Sequence, residues 1–409
     1  MSEKSKSIYD VIIVGGGLVG ASLASALEAT QLKIAIIEAA PWFTKRCPPS
    51  YDDRIIALSY ASHRIFSGIG LWDKIAPEAT PIKHIHVSDQ GQFGFTRLNN
   101  KDLGVLGYVV SARHLGQTLN EVLTPSSVDI LAPAQLLQIS QHDKAVDVQI
   151  ILDKQVETLQ TRLLVAADGG NSKVRQQLGI STTETDYGQT AVIANVTVEY
   201  PHQNIAYERF TPSGPLAMLP LAGNDCSLVW TCARSQVDEV MALDDQSFLK
   251  ALQAKFGWRL GGLLRVGQRH AYPLRLSRIQ QHTRGRVVII GNAAHTLHPV
   301  AGQGFNLGLR DVASLGEAIV EGAGDDVGSQ AVLQRYMAWQ LPDQQRISTI
   351  TDSLVRVFSN RFPPLVVARN LGLLVTDALP FLKKQFVRQL AGLNGHPSRL
   401  VRGLPLSTL

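Results

Sequence analysis

The chain has few cysteines, few aromatic residues and, in its last part, almost no acidic ones. Only Cys47, Cys226 and Cys232 occur in 409 residues. An odd, small number without metal-ligand spacing excludes a disulfide framework and argues for a reducing compartment. Cys226 and Cys232 fall in an apolar run and read as buried small hydrophobes. No stretch of about 18 uncharged apolar residues occurs, so no segment reads as a membrane-spanning helix. The opening MSEKSKSIYD is polar and runs straight into a strand, unlike a secretory signal. The expected location is cytoplasmic. Aromatics make up 6% of the chain and are not interleaved with its basic residues, and no nucleic-acid motif appears, so nucleic acid is excluded as a partner. From Ser353 onward a single acid, Asp377, stands against eight Lys/Arg, among many Leu, Val and Phe. Such a basic, apolar tail has two readings: a helix packed on its own protein, or a contact with anionic lipid on the inner face of the plasma membrane.

What is present is an ordinary globular composition, 45% hydrophobic and 18% charged, on a chain long enough for about two or three domains. Residues 9–38 read as strand, Gly-rich turn, helix and strand, the signature of a parallel sheet. Residues 41–53 read as a loop, 54–75 as helical, 84–98 as a hairpin, 112–124 as a helix. VDVQIIL and RLLVAADG read as strands, the second returning to the parallel sheet. From about Tyr187 to Tyr272 β-rich runs are separated by Gly, Pro, Asn and Asp, which predicts an antiparallel sheet. RVVIIGNAAH then restores a buried parallel strand, followed by a Gly-rich loop and a helix from about Asn306 to Gly322. The predicted fold class is α/β: a Rossmann-like domain with a mostly parallel sheet, interrupted by an antiparallel β-sheet substrate domain and closed by C-terminal helices. The expected boundaries are 8–75, 112–186 and 276–340 for the Rossmann-like part, 76–111 and 187–275 for the substrate domain, and 341–409 for the basic, amphipathic helical segment.

Three motifs carry chemistry. Gly15, Gly17 and Gly20 follow the strand VIIV in the pattern G-x-G-x-x-G, with Glu38 ending the next strand. Gly15 permits the turn, Gly17 lets a pyrophosphate approach the backbone, and Gly20 lets helix and strand pack. Free N–H groups and the dipole at the helix N-terminus favour the anion, and Glu38 is placed to accept ribose hydroxyls. An acid there with no arginine after it disfavours a 2′-phosphate. The motif alone does not choose between FAD and NAD. The second string, Asp168-Gly-Gly-Asn-Ser-Lys-Val-Arg175, follows a buried strand; in isolation an Asp-Gly at a strand end is only a turn. The third runs from Gly291 and Asn292 through Pro299 to Gly302, Gln303, Gly304 and Asn306. Glycines around Gln303 at a helix start present N–H groups and a dipole to partial negative charge, though a plain Gly-rich helix cap has the same look. His295 and His298 flank this loop. No further ligands at suitable spacing complete a zinc site, so no metal is expected.

In order and spacing these motifs resemble the class A flavoprotein monooxygenases, the family of para-hydroxybenzoate hydroxylase. The resemblance covers about residues 9–320. Within it, DDRIIALS, HVSDQGQFGF, AVIANV, ERFTPSGPLAMLP, SLVW, FGWRLG and GQGFNLGLRD are similar to the ubiquinone-biosynthesis branch, the 2-octaprenyl-6-methoxyphenol hydroxylases above all. The resemblance implies non-covalent FAD, NAD(P)H as co-substrate, O2, and a polyprenylated phenol hydroxylated through a flavin C4a-hydroperoxide. It implies that Asp168 serves both FAD and the pyridine nucleotide, that Arg54 and Arg113 lie near the flavin and its pyrophosphate, and that Pro299 and Gly302 to Asn306 form the loop under the isoalloxazine. His298 is a candidate for proton transfer. Asn292 stands where the wider family has Asp, keeping an acceptor oxygen without the charge. The run Phe210–Leu221 is expected to cover the substrate ring. Other readings are a reductase or hydroxylase of the same fold with another substrate, or a flavin-binding scaffold subunit; a halogenase is disfavoured by the lack of W-x-W-x-I-P. The basic tail is expected to meet the membrane or other ubiquinone-biosynthesis proteins.

Overall fold

The computed structural model of the chain describes residues 8–43, 50–51, 53–100, 103–297, 302–322, 324, 326–360 and 362–406. Cys47, and the two candidate catalytic residues His298 and Pro299, lie outside these described residues.

The apolar runs without alternation become the parallel core of an eight-stranded sheet. Val287–Ile289, the end of Gln155–Ala166, Tyr9–Val14, Ile34–Ile37 and Asp129–Leu131 lie side by side in that order, all parallel. Both faces of such strands are covered, which is why Val11, Ile12, Ile13, Ile34, Ala35 and Ile36 are all buried. One face meets the helices Leu18–Leu27, Ala112–Leu123 and Gln303–Glu321 in the largest apolar cluster. The other meets an antiparallel flap, Ala134–Gln141 and Val146–Leu152, hydrogen-bonded onto the long strand Gln155–Ala166.

The second sheet has nine strands. Its order is His295–Thr296, His270–Ile279, Thr182–Val198, Asp225–Ala233, Gly214–Pro220, Ile205–Thr211, His84–Asp89 and Phe95–Asn99, with Leu263–Val266 beside Thr182–Val198. All neighbours are antiparallel except Ile205–Thr211 with His84–Asp89. The expected hairpin at 84–98 thus joins the sheet formed by the later β-rich stretch. The strand Thr182–Val198 starts before Tyr187, and His270–Ile279 runs past Tyr272. A helix, Asp245–Phe256, covers one face of this sheet through Phe248, Leu252 and Phe256. The other face stays open to a cavity.

Three expectations are corrected. Residues 54–75 are not helical throughout: Ile55–Ser59 is a strand paired with Gly107–Ser111, and the helix begins at Tyr60, where Ser59 accepts the Ser62 N–H as its cap. The β-branched pair Ile55–Ile56 and the cap serine carried that signal. The helix expected from Asn306 starts at Gln303, because Gly302 adopts a left-handed conformation (φ +61°) that turns the chain into it. The helix Gln330–Ser359 runs unbroken through the expected boundary at 340/341, with Pro342 inside it. It is held to the preceding helix by Arg310, whose Nε donates to Asp343 at 2.6 Å with both groups buried.

Two helices follow, Pro363–Ala378 and Pro380–Leu390. The first is clamped on the hairpin 84–99. Asn370, fully buried, accepts the Gly94 N–H at 2.8 Å and donates to Asp89 at 2.9 Å, and Arg369 donates to the same carboxylate at 2.8 Å. A side chain at position 94 would collide with Asn370, so glycine is required there.

Candidate active site

The turn after Tyr9–Val14 is built by steric need. Gly15 has φ +102°, and a Cβ there would lie 2.5 Å from the Ala167 carbonyl oxygen. A Cβ on Gly20 would lie 1.9 Å from the Gly15 oxygen, so this glycine lets the helix pack on the turn itself. A Cβ on Gly17 would meet nothing within 4 Å. The space above Gly17 is open, as a pyrophosphate approach demands. Glu38 is half-buried; its Oε2 accepts the Gly16 N–H at 2.6 Å and its Oε1 the Ala40 N–H at 2.8 Å. The carboxylate therefore first fixes the Gly-rich turn, and each oxygen keeps a lone pair for a ribose hydroxyl.

Three of the longer helices are capped by a hydroxyl: Ser59, Ser111 and Ser329 each accept an N–H of the first turn. The helices beginning at Leu18 and Gln303 have glycine caps, Gly17 and Gly302, and no side-chain cap. With no side chain over the first turn, each of these helix starts suits an anionic or partly anionic ligand. Both helix starts open into one cavity of about 890 Å³.

The Asp168 string folds as a loop into the short helix Lys173–Gln177, capped by Ser172. Asp168 Oδ2 accepts the Val174 N–H at 3.2 Å, whereas Oδ1 is buried with no protein partner. A buried acceptor left without a donor costs about 1–3 kcal/mol, so a bound ligand donor is its natural complement. Arg175 donates to the Ala293 carbonyl at 2.8 Å and to the Gly170 carbonyl at 2.6 Å, tying this loop to the Gly291-Asn292 turn. Asn292 is exposed on the cavity wall.

Of the two candidate arginines, the structure brings one to the cavity. Arg54 lines it, lying 5.4 Å from the centre of the Tyr272 ring. Arg113 is held by Asp53 at 2.8 Å, Glu78 at 3.1 Å and Gln117 at 2.8 Å, and its neighbour Ala112 is the residue on the wall. Asn306 is buried: its amide donates to the Ala57 and Gly302 carbonyls at 2.9 and 2.6 Å, and its oxygen accepts from the Ser59 N–H and Ser62 hydroxyl at 2.7 and 2.6 Å. With every polar position used, Asn306 shapes the loop rather than binding through its side chain. Gly304 is open, with nothing within 4 Å of a Cβ.

Two residues with a part in the site were not singled out from the sequence. Asp311, on the helix behind the loop, is fully buried. It accepts from the Gly291 N–H at 2.9 Å, His295 at 2.7 Å, Gln340 at 2.8 Å and Gln344 at 2.8 Å. Burial opposes its charge, yet His295 and these donors hold its carboxyl below the usual carboxylate range. His295 is thereby a positioning residue for the loop. The signal was an acid on a helix that is buried almost all round. The second is Glu208, on the sheet side of the cavity, hidden in a β-rich run. The expected cover at Phe210–Leu221 is here the cavity wall, through Phe210, Ala217 and Leu219, and Phe210 stacks on Phe358 of the long helix at 3.6 Å between ring centres. The C-terminal helices complete the cavity through Leu373, Thr376, Phe386 and Leu390.

The Gly-rich turn open above Gly17, the uncapped helix starts and the orphaned Asp168 oxygen fit a dinucleotide whose diphosphate lies at one helix and whose ring system lies at the other. The comparisons agree. The family model for the FAD binding domain matches residues 8–349. The ubiquinone hydroxylase UbiL of Rhodospirillum rubrum is 38% identical over 99% of this chain and 95% of its own. The 3-demethoxyubiquinol 3-hydroxylase of Escherichia coli is 33% identical over 94% of this chain and 98% of its own. Among solved structures, p-nitrophenol 4-monooxygenase PnpA of Pseudomonas putida superimposes with a TM-score of 0.77 at 19% identity, covering 95% of this chain and 99% of that one, which shows a common fold.

Proposed function

Because this chain belongs to the FAD-dependent monooxygenase family that includes the ubiquinone hydroxylases, we propose that it hydroxylates the aromatic ring of a polyprenylated phenol during ubiquinone biosynthesis, using NAD(P)H and O2. The observation that carries the reading is the single cavity shared by both glycine-capped helix starts and an apolar sheet face. Bound FAD supplies the two-electron chemistry that activates O2. The residues do the rest. The Gly15–Gly20 turn and Glu38 hold the adenosine diphosphate. Asp168 takes a hydrogen bond from the cofactor and, with Arg175, fixes the loop beside it. Gly291, Asn292 and Gly302 to Asn306 hold the ring system, the helix start at Gln303 stabilising negative charge on it when reduced. Arg54 lies over the same space, and Arg113 acts by fixing the loop that carries Arg54. Pro299 and His298 lie in sequence between Asn292 and Gly302. Ala191, Ile193, Ala217, Leu219 and Val229 keep water from the reacting ring.

In this reading residues 8–75, 112–186 and 276–359 are the cofactor-binding part, the last piece running to the end of the helix Gln330–Ser359, and 76–111 and 187–275 the substrate part. The C-terminal helices add a route to a lipid substrate. Among the described residues no single helix is long and apolar enough to cross a membrane, but Pro363–Ala378 and Pro380–Leu390 meet at a 98° bend. Their inner side walls the cavity, while Phe362, Val367, Leu371, Val375, Leu379 and Phe381 are exposed, with Lys384 and Arg388 beside them. Apolar side chains flanked by cations match an anionic bilayer surface. Lys383 is excluded from that set, since it pairs with Asp377 at 2.9 Å. The test is turnover of a short-chain prenylphenol by the purified flavoprotein with NADH or NADPH, following O2 and the mass of the product. Reductant oxidation that yields only hydrogen peroxide with every prenylphenol would overturn the substrate assignment. Deleting the gene in its host and identifying the accumulated precursor names the ring position.

A further inference from the structure

The sheet face that walls the cavity is mostly apolar, and among the described residues Glu208 is the one acid that lines it. Along Ile205–Thr211 the residues turned to the cavity are Ala206, Glu208 and Phe210, and their neighbours across the sheet are Ala217, Val87 and Ile85. The side chain of Tyr207 packs on Phe256 and His86 on the opposite face, though Tyr207 also borders the cavity. Glu208 accepts no hydrogen bond and joins no ion pair among the described residues, and burial alone raises its carboxyl to about 7. Asp89, on the neighbouring strand, is neutralised by Arg369 and Asn370. His84 and His86 alternate with Ile85 and Val87 and so lie on the far face. Arg54, Tyr272 and Arg275 line the cavity, but Arg54 lies over Tyr272 and Arg275 pairs with Glu184. The strand Gly214–Pro220 carries no titratable group, and the long helix behind contributes Asp352 and Arg356, paired with each other. A carboxyl held in an apolar wall without a partner costs stability, and folds keep such groups where a ligand needs them.

We propose that Glu208 is a catalytic residue of this enzyme: its carboxylate accepts the hydrogen bond of the phenol hydroxyl and takes that proton as the ring is attacked by oxygen. The inference rests on the phenol-hydroxylase reading above. An unperturbed phenol ionises near 10, about three units above Glu208, so complete deprotonation in the ground state is unfavourable. The proton moves as charge leaves the ring. The O–H bond of the phenol breaks and its electron pair enters the ring while the new C–O bond forms at the ring carbon and the O–O bond of the activated oxygen breaks, its electron pair staying on the oxygen that leaves. The proton goes to Glu208. The ring C–H proton then passes through solvent to the oxygen that leaves as water, which restores aromaticity, and Glu208 returns its proton to the first oxygen. Glu208 is unchanged over the cycle. One oxygen atom of O2 enters the ring, and the other leaves as water with the two electrons of NAD(P)H.

The test uses the FAD-loaded enzyme and a water-soluble short-chain prenylphenol. For the parent, kcat/KM should rise with pH through about 7 as the base ionises. Glu208→Gln, which removes a half-buried charge from the cavity wall and should fold and retain FAD, should lose about 10²-fold in kcat with a smaller change in KM, and its profile should lose that step. Independently of turnover, infrared difference spectra of the parent across neutral pH should show a protonated carboxyl band that is absent in Glu208→Gln. Parent turnover with an unchanged rate and profile in Glu208→Gln would overturn the assignment while leaving the phenol reading intact. A parent that hydroxylates no prenylphenol would overturn the phenol reading instead, and the infrared titration would still say whether Glu208 ionises near neutrality. If Glu208→Gln does not fold, a parent profile flat between pH 6 and 8 decides against Glu208.

Discussion

Asp311 offers the sharpest test of how the flavin loop is held. Its Oδ2 gathers the Gly291 N–H and His295, and its Oδ1 gathers Gln340 and Gln344. Asp311→Ala leaves four buried donors facing an apolar hole. Each unpaired buried donor costs about 1–3 kcal/mol, and partial rearrangement of the two glutamines recovers some of this. The expected loss is about 4 kcal/mol, in line with removal of one partner of a buried pair. Asp311→Asn should cost less, about 2 kcal/mol, since it keeps one acceptor oxygen and turns an N–H₂ toward two of the donors. Urea unfolding of the FAD-loaded protein measures both. FAD retention adds a second readout, because Gly291 has φ +60° and its turn carries Asn292 onto the cavity wall. The charge has a pH consequence. The folded-state pKa lies below the ordinary value, so the carboxylate's stabilisation is complete above about pH 4 and is lost as the pH falls further through the folded-state value. The parent should therefore lose stability on acidification below about pH 4 more steeply than Asp311→Asn. An Asp311→Ala protein that unfolds within about 1 kcal/mol of the parent and keeps its FAD would refute this account of the loop.

Four further outcomes are expected. Gly17→Val should abolish FAD binding while leaving apo-protein unfolding nearly unchanged, since no protein atom lies within 4 Å of the new Cβ; a variant that still binds FAD as the parent does removes the pyrophosphate from that turn. Acid precipitation of the parent should release the flavin into the supernatant. Asp168→Ala, saturated with FAD, should be reduced more slowly by NAD(P)H in stopped flow, and an unchanged rate removes Asp168 from the site. Lys384→Glu with Arg388→Glu should float less with anionic liposomes while retaining FAD, the difference shrinking in high salt; equal flotation of variant and parent would assign the exposed helix face to another partner.

The sequence by itself determined the parts of this protein whose rules are local. Strand VIIV, the glycines at 15, 17 and 20, the acid at 38 and the Gly-rich start of the helix at Gln303 are legible because each backbone need acts over a few residues. The antiparallel stretch was legible from its alternation and turn residues. Local pattern failed where a distant partner decided the outcome. Ile55–Ser59 is a strand because Gly107–Ser111 lies beside it, and Arg113 turns from the cavity because Asp53 and Glu78 reach it first. Lys383 and Arg369, two charges of the basic tail, are taken by Asp377 and Asp89, the latter 280 residues away. Glu208 and Asp311 are the clearest cases. Each stands beside an arginine within a string that carries the resemblance, but nothing in the local pattern gives either acid a role of its own. One is held charged by four donors that converge only in the folded chain, and the other is left without any, facing a cavity that exists only once two sheets and the C-terminal helices close around it. The ionisation of a carboxyl is set by the solvent and dipoles within a few ångströms, and for a buried group those are supplied by tertiary structure.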